Sequence, residues 1–370
     1  VVSPRSAKLD RLQASLGPLE VDARGELDLL GPVYDLSVGA AVDLGGLGRL
    51  GADLPEMSGA LALQVDVRGV GLSPEVRGEA VARAARVGKF ALGELARAEL
   101  RADPGGVDIE DARLRLGPGE VRVEGRVDFD DELGLRATAR SKRLSFARLM
   151  GAIGERGVWV DFLASGRSQV KGSLRPLRIS GPFDFDLEGV DVYDGPWDDP
   201  ASRRPEARRL DTVPVEVAGR WTFTKSALRV DEAEVSTDRS RGRASALVRH
   251  QDPKRLDVRA DFERLGLADL GGIAGIDFRG LGPVSGRVGG PFGDLSAAAT
   301  LDLRGIAIAG IPLGDALAEL RWDGGDALTV AGIEGTLGST RWHGGVDVDF
   351  RPPTPVRVKG EITRGRLGDL

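Results

Sequence analysis

Hydrophobic and polar residues alternate with period two through much of the chain, and VRVEGRVDFD (121–130) shows the pattern plainly. Val121, Val123, Val127 and Phe129 fall on one side of an extended chain, with Gly125 completing the row; Arg122, Glu124, Arg126, Asp128 and Asp130 fall on the other. Side chains alternate across a strand, so this predicts a β-strand with one apolar and one charged face. The same alternation predicts strands at LALQVDVRG (61–69), ARLRLG (112–117), LGLRATARS (133–141), VPVEVAGRWTF (213–223), LDVRADF (256–262), ATLDLRG (299–305), GGVDVDF (344–350) and VRVKGEI (356–362). Between them DPGG (103–106), GPGE (117–120), FDDE (129–132), QDPK (251–254) and DGGD (323–326) supply residues that reverse an extended chain. Strands joined this tightly are antiparallel neighbours, so the expectation is an all-β meander.

Four segments break the alternation in a similar way: DLGGLGRLGA (43–52), LSFARLMGAI (144–153), LGLADLGGIA (265–274) and RLGDL (366–370). Their starts lie about 101, 121 and 101 residues apart, a long internal repeat. Each is long enough for a turn or two of helix, predicted to cross the rim between modules. Three complete modules follow, 53–152, 153–274 and 275–370, preceded by a partial one, 1–52. The second carries an insertion, YDGPWDDPASRRPEARRL (193–210), whose proline and charge content mark a surface loop.

Composition narrows the function. Lys and Arg number 51 against 57 Asp and Glu, a net charge of -6 spread along the chain, which argues against a nucleic-acid partner. The absence of cysteine excludes disulfides, thiolate metal sites and a cysteine nucleophile. No apolar run approaches a membrane-spanning helix, and no signal peptide opens the chain. A chain opening VVSPRS reads as a piece of a longer protein.

Candidate chemistry is sparse. Gly46, Gly48 and Gly51 spell GxGxxG after a strand-like GAAVDL, but Pro55 follows where a dinucleotide fold needs a helix and a parallel strand. His250 and His343, the only histidines, lack metal-ligand spacing. Asp198 and Asp199, or Asp128, Asp130 and Asp131, offer oxygen ligands without a calcium-loop pattern, and read as polar turns. Arg203, Arg204, Arg208 and Arg209, with Glu206 among them, read as a solvated loop. The chain is therefore expected to be no enzyme and to need no cofactor or metal.

The apolar rows need covering, and one cover is a second sheet in a β-sandwich. A sandwich core usually holds aromatics, whereas Phe, Trp and Tyr make up only 5% here. Rows of Val, Leu, Ala and Gly instead suggest meanders curled into a long open groove with an apolar interior. The expected lining is Leu63, Val65, Val121, Val123, Val127, Phe129, Phe183, Phe185, Val215, Trp221, Phe223, Leu301, Leu303, Val346, Val348, Val356 and Val358. Exposing an acyl chain to water costs about 0.8 kcal/mol per CH₂, so an apolar trough suits phospholipid acyl chains. A charge at Val123 or Val348 is expected to block such transfer and leave the fold largely intact.

Two segments carry a family resemblance: VRGVGLSPEVRGEAVARAARVGKFALGELARAELRADPGGVDIEDARLRLGPGEVRVEGRVDF (67–129) and GRVGGPFGDLSAAATLDLRGIAIAGIPLGDALAELRWDGGDALTVAGIEGTLGSTRWHGGVDVDF (286–350). In their G-x-V-x-G-P-x-x-x-x-x-x-A-style openings, amphipathic strands and LRLGPGEVRVEGRV-style closings they resemble the TamB branch of the AsmA-like proteins. The resemblance covers nearly the whole chain with degenerate motifs. It implies a β-groove protein of the Gram-negative envelope, anchored in the inner membrane by an N-terminal segment, spanning the periplasm and carrying phospholipid towards the outer membrane. It also implies an Omp85-type outer-membrane partner, contacted through regions outside this fragment. The contrasting expectation is a scaffold for outer-membrane protein assembly, or stacked β-sandwiches of an adhesin, with dry cores of about 100 residues each.

Overall fold

The computed structural model describes residues 6–28, 33–47, 57–87, 90–91, 93, 95–152, 160–193, 208–251, 253–270, 272–273, 276–291, 294–308, 310–324, 327–349 and 356–366. Their strands begin with β1 (Ser6–Leu16), β2 (Leu19–Asp28), β3 (Val33–Asp43), β4 (Met57–Val70), β5 (Ser73–Val87), β6 (Phe90–Ala91), β7 (Leu95–Asp103), β8 (Gly106–Leu116), β9 (Gly119–Asp128) and β10 (Gly134–Ser145). Next come β11 (Val160–Asp161), β12 (Leu163–Leu174), β13 (Leu177–Leu187), β14 (Asp191–Tyr193), β15 (Arg208–Asp211), β16 (Val215–Thr224), β17 (Ala227–Ser236) and β18 (Arg241–Arg249). The series ends with β19 (Arg255–Gly266), β20 (Gly272–Ile273), β21 (Ile276–Pro291), β22 (Ser296–Ile308), β23 (Ile311–Trp322), β24 (Ala327–Leu337), β25 (Thr340–Asp349) and β26 (Val356–Arg364). Every strand expected from the alternation overlaps one of these; residues 117, 129–130, 133 and 213–214 fall just outside the observed strands, and 350 lies outside the described residues.

The chain divides into two compact units, Val1–Val158 with Leu163–Ile179, and Trp159–Phe162 with Ser180–Leu370. In the first, β1, β2, β3, β4, β5, β7, β8, β9, β10 and β12 pair in that order, each antiparallel to the next. In the second, β16, β17, β18, β19, β21, β22, β23, β24, β25 and β26 do the same. Strands β11, β14 and β15 form a separate small antiparallel sheet. Among the described residues no register joins β1 to β12 or β16 to β26, so neither meander closes into a barrel. The chain is all-β, as the period-two pattern predicts. Among the described residues its helical elements are α1 (Leu44–Leu47), α2 (Phe146–Ala152) and a 3-10 turn at Leu267–Leu270, each inside a segment that breaks the alternation. The fourth such segment, 366–370, lies outside the described residues apart from Arg366.

Directly paired residues of an antiparallel ladder share a face, so registers show what crosses each sheet. In the first unit one row runs Leu16, Leu19, Val42, Leu61, Ala82, Ala96, Leu114 and Val121 over β1 to β9. Leu44 of α1 joins Val42, Ala82 and Ala85 in the buried cluster at its end. Every second residue along the strands starts another such row.

Bulges keep these rows in phase. On the apolar face the step is three residues from Ile109 to Ala112, Val230 to Ala233, Phe262 to Leu265, Leu303 to Ile306 and Val330 to Ile333, while the facing strand advances two. The spare residue lies in left-handed backbone at Glu232 (φ 45°), Gly305 (φ 60°) and Gly332 (φ 60°). Such bulges bend a strand and increase its local twist. Close approach also demands glycine at Gly125, where a Cβ would collide with the carbonyl of Arg136 on the neighbouring strand.

A left-handed conformation costs a non-glycine residue about 1–2 kcal/mol. Nothing lies within 4 Å of a Cβ built on Gly332, so Gly332→Ala isolates this backbone term. Chemical denaturation should show Gly332→Ala destabilised by about 1–2 kcal/mol. Glu232→Gly should instead be neutral to about 1 kcal/mol stabilised, since relief of strain outweighs the added entropy of the unfolded chain.

Candidate functional site

In the first unit Leu63, Val65, Val121, Val123 and Val127 share one sheet face, and each is half-buried. Leu63 belongs to the row Ala14, Val21, Ala40, Leu63, Ala80, Ala98, Ala112, Val123 and Ala139. Val65 belongs to the row Leu12, Ala23, Val38, Val65, Gly78, Leu100, Ile109, Gly125, Ala137 and Val170, which crosses all ten strands. A closed sandwich would bury these positions, yet most stay half-exposed. Phe129 lies just beyond β9 and is 54% exposed.

In the second unit Val215, Trp221 and Phe223 line β16, and Leu301, Leu303, Val346 and Val348 lie on β22 and β25. A row runs Trp221, Val230, Ala246, Val258, Val288, Ala297, Trp322, Leu328 and Val348, ending at the register position of Val356. The side chain of Val356 is outside the described residues. Beside it runs Ala233, Ala244, Ala260, Gly286, Ala299, Leu320, Val330, Val346 and Val358, rich in small residues. Phe183 and Phe185 on β13 stack with ring centroids 5.7 Å apart. A Cβ on Gly219 would stand 3.2 Å from Phe183, so that ring rests over bare backbone.

Exposure along these rows is uneven. Leu303 and Val348 are 4% and 7% exposed, whereas Val358 on the last strand is 66% exposed. A carboxylate at Val348 would enter a buried site and disturb folding, contrary to the expectation of an intact fold there; Val123 meets that condition better. Alternating alanines such as Ala80, Ala98, Ala112 and Ala139 lie in the same rows but are not among the expected lining residues. Their signal was present in AVARAA (80–85), LARAEL (95–100), ARLRL (112–116) and RATAR (136–140), but only the strand register shows that they share rows with Leu63 and Val123.

The opposite face carries charge. Arg97, Arg113, Arg122 and Arg140 stand directly opposite one another across β7 to β10. Their repulsion is offset by carboxylates: Arg97 donates to Glu79 at 2.7 Å, Arg122 to Glu120 at 2.7 Å and Arg140 to Glu124 at 3.0 Å, while Arg113 holds Asp111. Arg126 sits at a denser junction, donating to Asp128 at 2.9 Å, Asp108 at 2.6 Å and Asp103 at 3.2 Å. Asp128 also accepts from Arg136 at 3.0 Å. Hydrogen bonding to Arg126 holds the Asp128 carboxyl below its ordinary range, and the Gly105 amide followed by Arg126 does so for Asp103. The guanidinium of Arg126 is raised in turn, chiefly by its bonds to Asp128 and Asp103.

The remaining candidates have structural roles or lie outside the described residues. Strand β4 returns antiparallel to β3 after the single turn of α1, so the GxGxxG text makes no βαβ unit. Gly46 is needed because a Cβ there would strike Pro18, while Gly48 and Gly51 lie outside the described residues. His250 stacks on Phe223 at 5.4 Å, with its Nε2 2.6 Å from the Lys225 carbonyl. His343 lies 3.3 Å from Glu361 across the β25–β26 ladder. Asp130 accepts the Gly134 amide at 2.9 Å, and Asp131 lies in the same exposed turn. Among the described residues no group of His, Cys, Asp and Glu is arranged to hold a metal. Asp198, Asp199, Arg203, Arg204 and Glu206 lie outside the described residues; Arg208 and Arg209 fall in β15. Among the described residues no helix is long and apolar enough to cross a membrane.

No family model, curated protein or solved structure matches the chain.

The depressed Asp103 and Asp128 make the first unit acid-sensitive in a defined direction. Both have an ordinary value of 3.8 and a lower one when folded, so the unfolded chain takes up protons first. Their contribution is full above that ordinary value and fades as pH falls through the folded values. Arg126→Ala should melt below the native protein at pH 7, and the gap between the two should narrow from pH 5 towards pH 2.5 in a circular-dichroism series.

Proposed function

We propose that this chain is a non-enzymatic segment of an envelope protein that conducts phospholipid along an apolar sheet face, in the manner of the TamB and AsmA-like proteins that its repeats resemble. The observation that carries the reading is the ladder of apolar rows crossing the paired strands of each unit, largely half-exposed instead of buried. Strands stand about 4.8 Å apart, so ten of them present roughly 43 Å of continuous apolar face. That exceeds the roughly 15 Å of one leaflet of a bilayer core, the reach of one acyl chain. An acyl chain laid across such rows meets Val, Leu or Ala at each strand and regains about 0.8 kcal/mol for each CH₂ removed from water. Alanine and glycine within the rows leave room for it. The headgroup stays in water, so the lining needs no head-specific pocket.

Under this reading the protein works in the periplasm of a Gram-negative bacterium, between an inner-membrane anchor and the outer membrane. An Omp85-type protein would be met through regions outside this chain. A second reading, a scaffold that adds strands to outer-membrane polypeptides, draws on β26, whose described side chains are all exposed and which pairs only with β25 among the described residues. Exposed edges invite strand addition.

Native mass spectrometry of the purified chain should show several bound phospholipids. Val123→Asp, a charge in the middle of a half-buried row, should keep its far-ultraviolet circular dichroism and slow lipid transfer between vesicles at least about tenfold. A lipid-free chain, or a variant that transfers at the native rate, would overturn the proposal. Capture of unfolded outer-membrane polypeptide by a lipid-free chain would favour the scaffold.

A further inference from the structure

Neighbouring strands β19, β21 and β22 of the second unit all break register near one end, at Phe262 to Leu265, Arg279 to Leu281 and Leu303 to Ile306. There a cleft of about 380 Å³ opens, lined by the arginines Arg239, Arg264, Arg279 and Arg304. Leu281 pairs with Gly266 on one side and Arg304 on the other, in the same alternation as exposed Arg287. The cleft therefore belongs to the charged face of the sheet and not to the apolar rows, and it does not depend on the lipid reading.

Its charge is poorly balanced. Arg279 reaches Asp277 at 3.4 Å, but among the described residues Arg239, Arg264 and Arg304 have no ion-pair partner. Among the described residues Asp238 is the one carboxylate in the lining, and Asp315 accepts the amide of the lining Gly305 at 2.9 Å. Asp269, buried close by, is occupied by the hydroxyls of Thr237 and Ser240. Arg264 also stands directly opposite Arg241, and like charges so placed destabilise a ladder. The arginine row across β7 to β10 is interleaved with carboxylates, whereas Arg241 and Arg264 have no ion-pair partner among the described residues.

The cleft is also shaped. A Cβ on Gly266 would come within 3.0 Å of the Arg239 side chain, so the glycine lets that stem lie across the strand. Gly305, in left-handed backbone with nothing within 4 Å of its Cβ position, leaves the far wall open. Leu281, 42% exposed, gives an apolar patch among the guanidinium groups. Planar guanidiniums make paired hydrogen bonds to tetrahedral oxyanions, and bulges often re-aim side chains at binding sites. The volume is at the small end of the range for ligand pockets, about 300–1,000 Å³. We propose that this arginine cleft binds one phosphate-class anion, either free phosphate or a phosphoryl group carried by a small molecule or lipid headgroup.

Calorimetric titration of the whole chain at low salt tests this, with inorganic phosphate, glycerol 3-phosphate and uncharged glycerol as probes. Saturable binding of at least one anion is expected, weakening as salt rises, with none for glycerol. The double variant Arg264→Gln with Arg304→Gln should bind at least about tenfold more weakly. Arg255→Gln, exposed on β19 away from the cleft, should bind as the native chain does. Should the double variant melt early, Leu281→Glu, which sets a carboxylate among the arginines, should give the same loss. Tighter binding of glycerol 3-phosphate would assign an esterified ligand; equal or tighter binding of phosphate would assign the free ion. No saturable heat from either anion, or native affinity in the double variant and in Leu281→Glu, would overturn the proposal.

Discussion

Cross-strand register is the constraint on which the rest of this protein depends. A slip of one residue would turn a strand's whole apolar set to the charged side, because the side-chain period is two. Each unit avoids this over ten consecutive strands, so Val65 lines up with Val38 on one neighbour and Gly78 on the other. Tight turns such as those after Asp103 and Leu116 set the offset of each hairpin. Where the strand must bend, a bulge takes up the spare residue and the rows resume.

The charged face complements that arrangement. Exposed ion pairs contribute little stability individually, typically about 0–1 kcal/mol. Their collective effect here is to keep one side of each sheet hydrated, because stacking another sheet on Arg97, Arg113, Arg122 and Arg140 would strip water from paired charges. Each sheet thus keeps one charged side and one apolar side. The Arg126 junction shows how closely the faces are coupled: Arg126, Asp108 and Asp128 lie on strands whose other side carries Val107, Gly125 and Val127.

Much of the fold was legible because alternation is a local property. The strands, the antiparallel order and the short helical breaks follow from runs such as VRVEGRVDFD and turns such as GPGE. The bulges were harder. Val230 to Ala233 and Val330 to Ile333 break the period by one residue, which resembles a lapse in an amphipathic pattern until the facing strand shows it to be compensated. Gly332 marks such a site in the text, whereas Glu232 takes the same conformation without a compositional sign. The degree of exposure was not legible either. Leu303 and Val358 look alike as aliphatic residues of amphipathic strands, but Leu303 lies on a strand paired on both sides, whereas the strand of Val358 pairs on one side only among the described residues. The arginine cleft required Arg239, Arg264, Arg279 and Arg304 to converge from several strands and a turn, a relation no linear spacing records.

Because every bulge is absorbed between one strand and its neighbour, the phase beyond it is unaffected by how many strands came before. Insertion or loss of a whole hairpin would add or remove two strands and leave every other pairing partner's parity as it was. A single-strand change would reverse the direction of everything downstream. Such a chain can lengthen through duplication in two-strand increments without redesign of its faces, so that its reach is a quantity evolution can adjust independently of its chemistry.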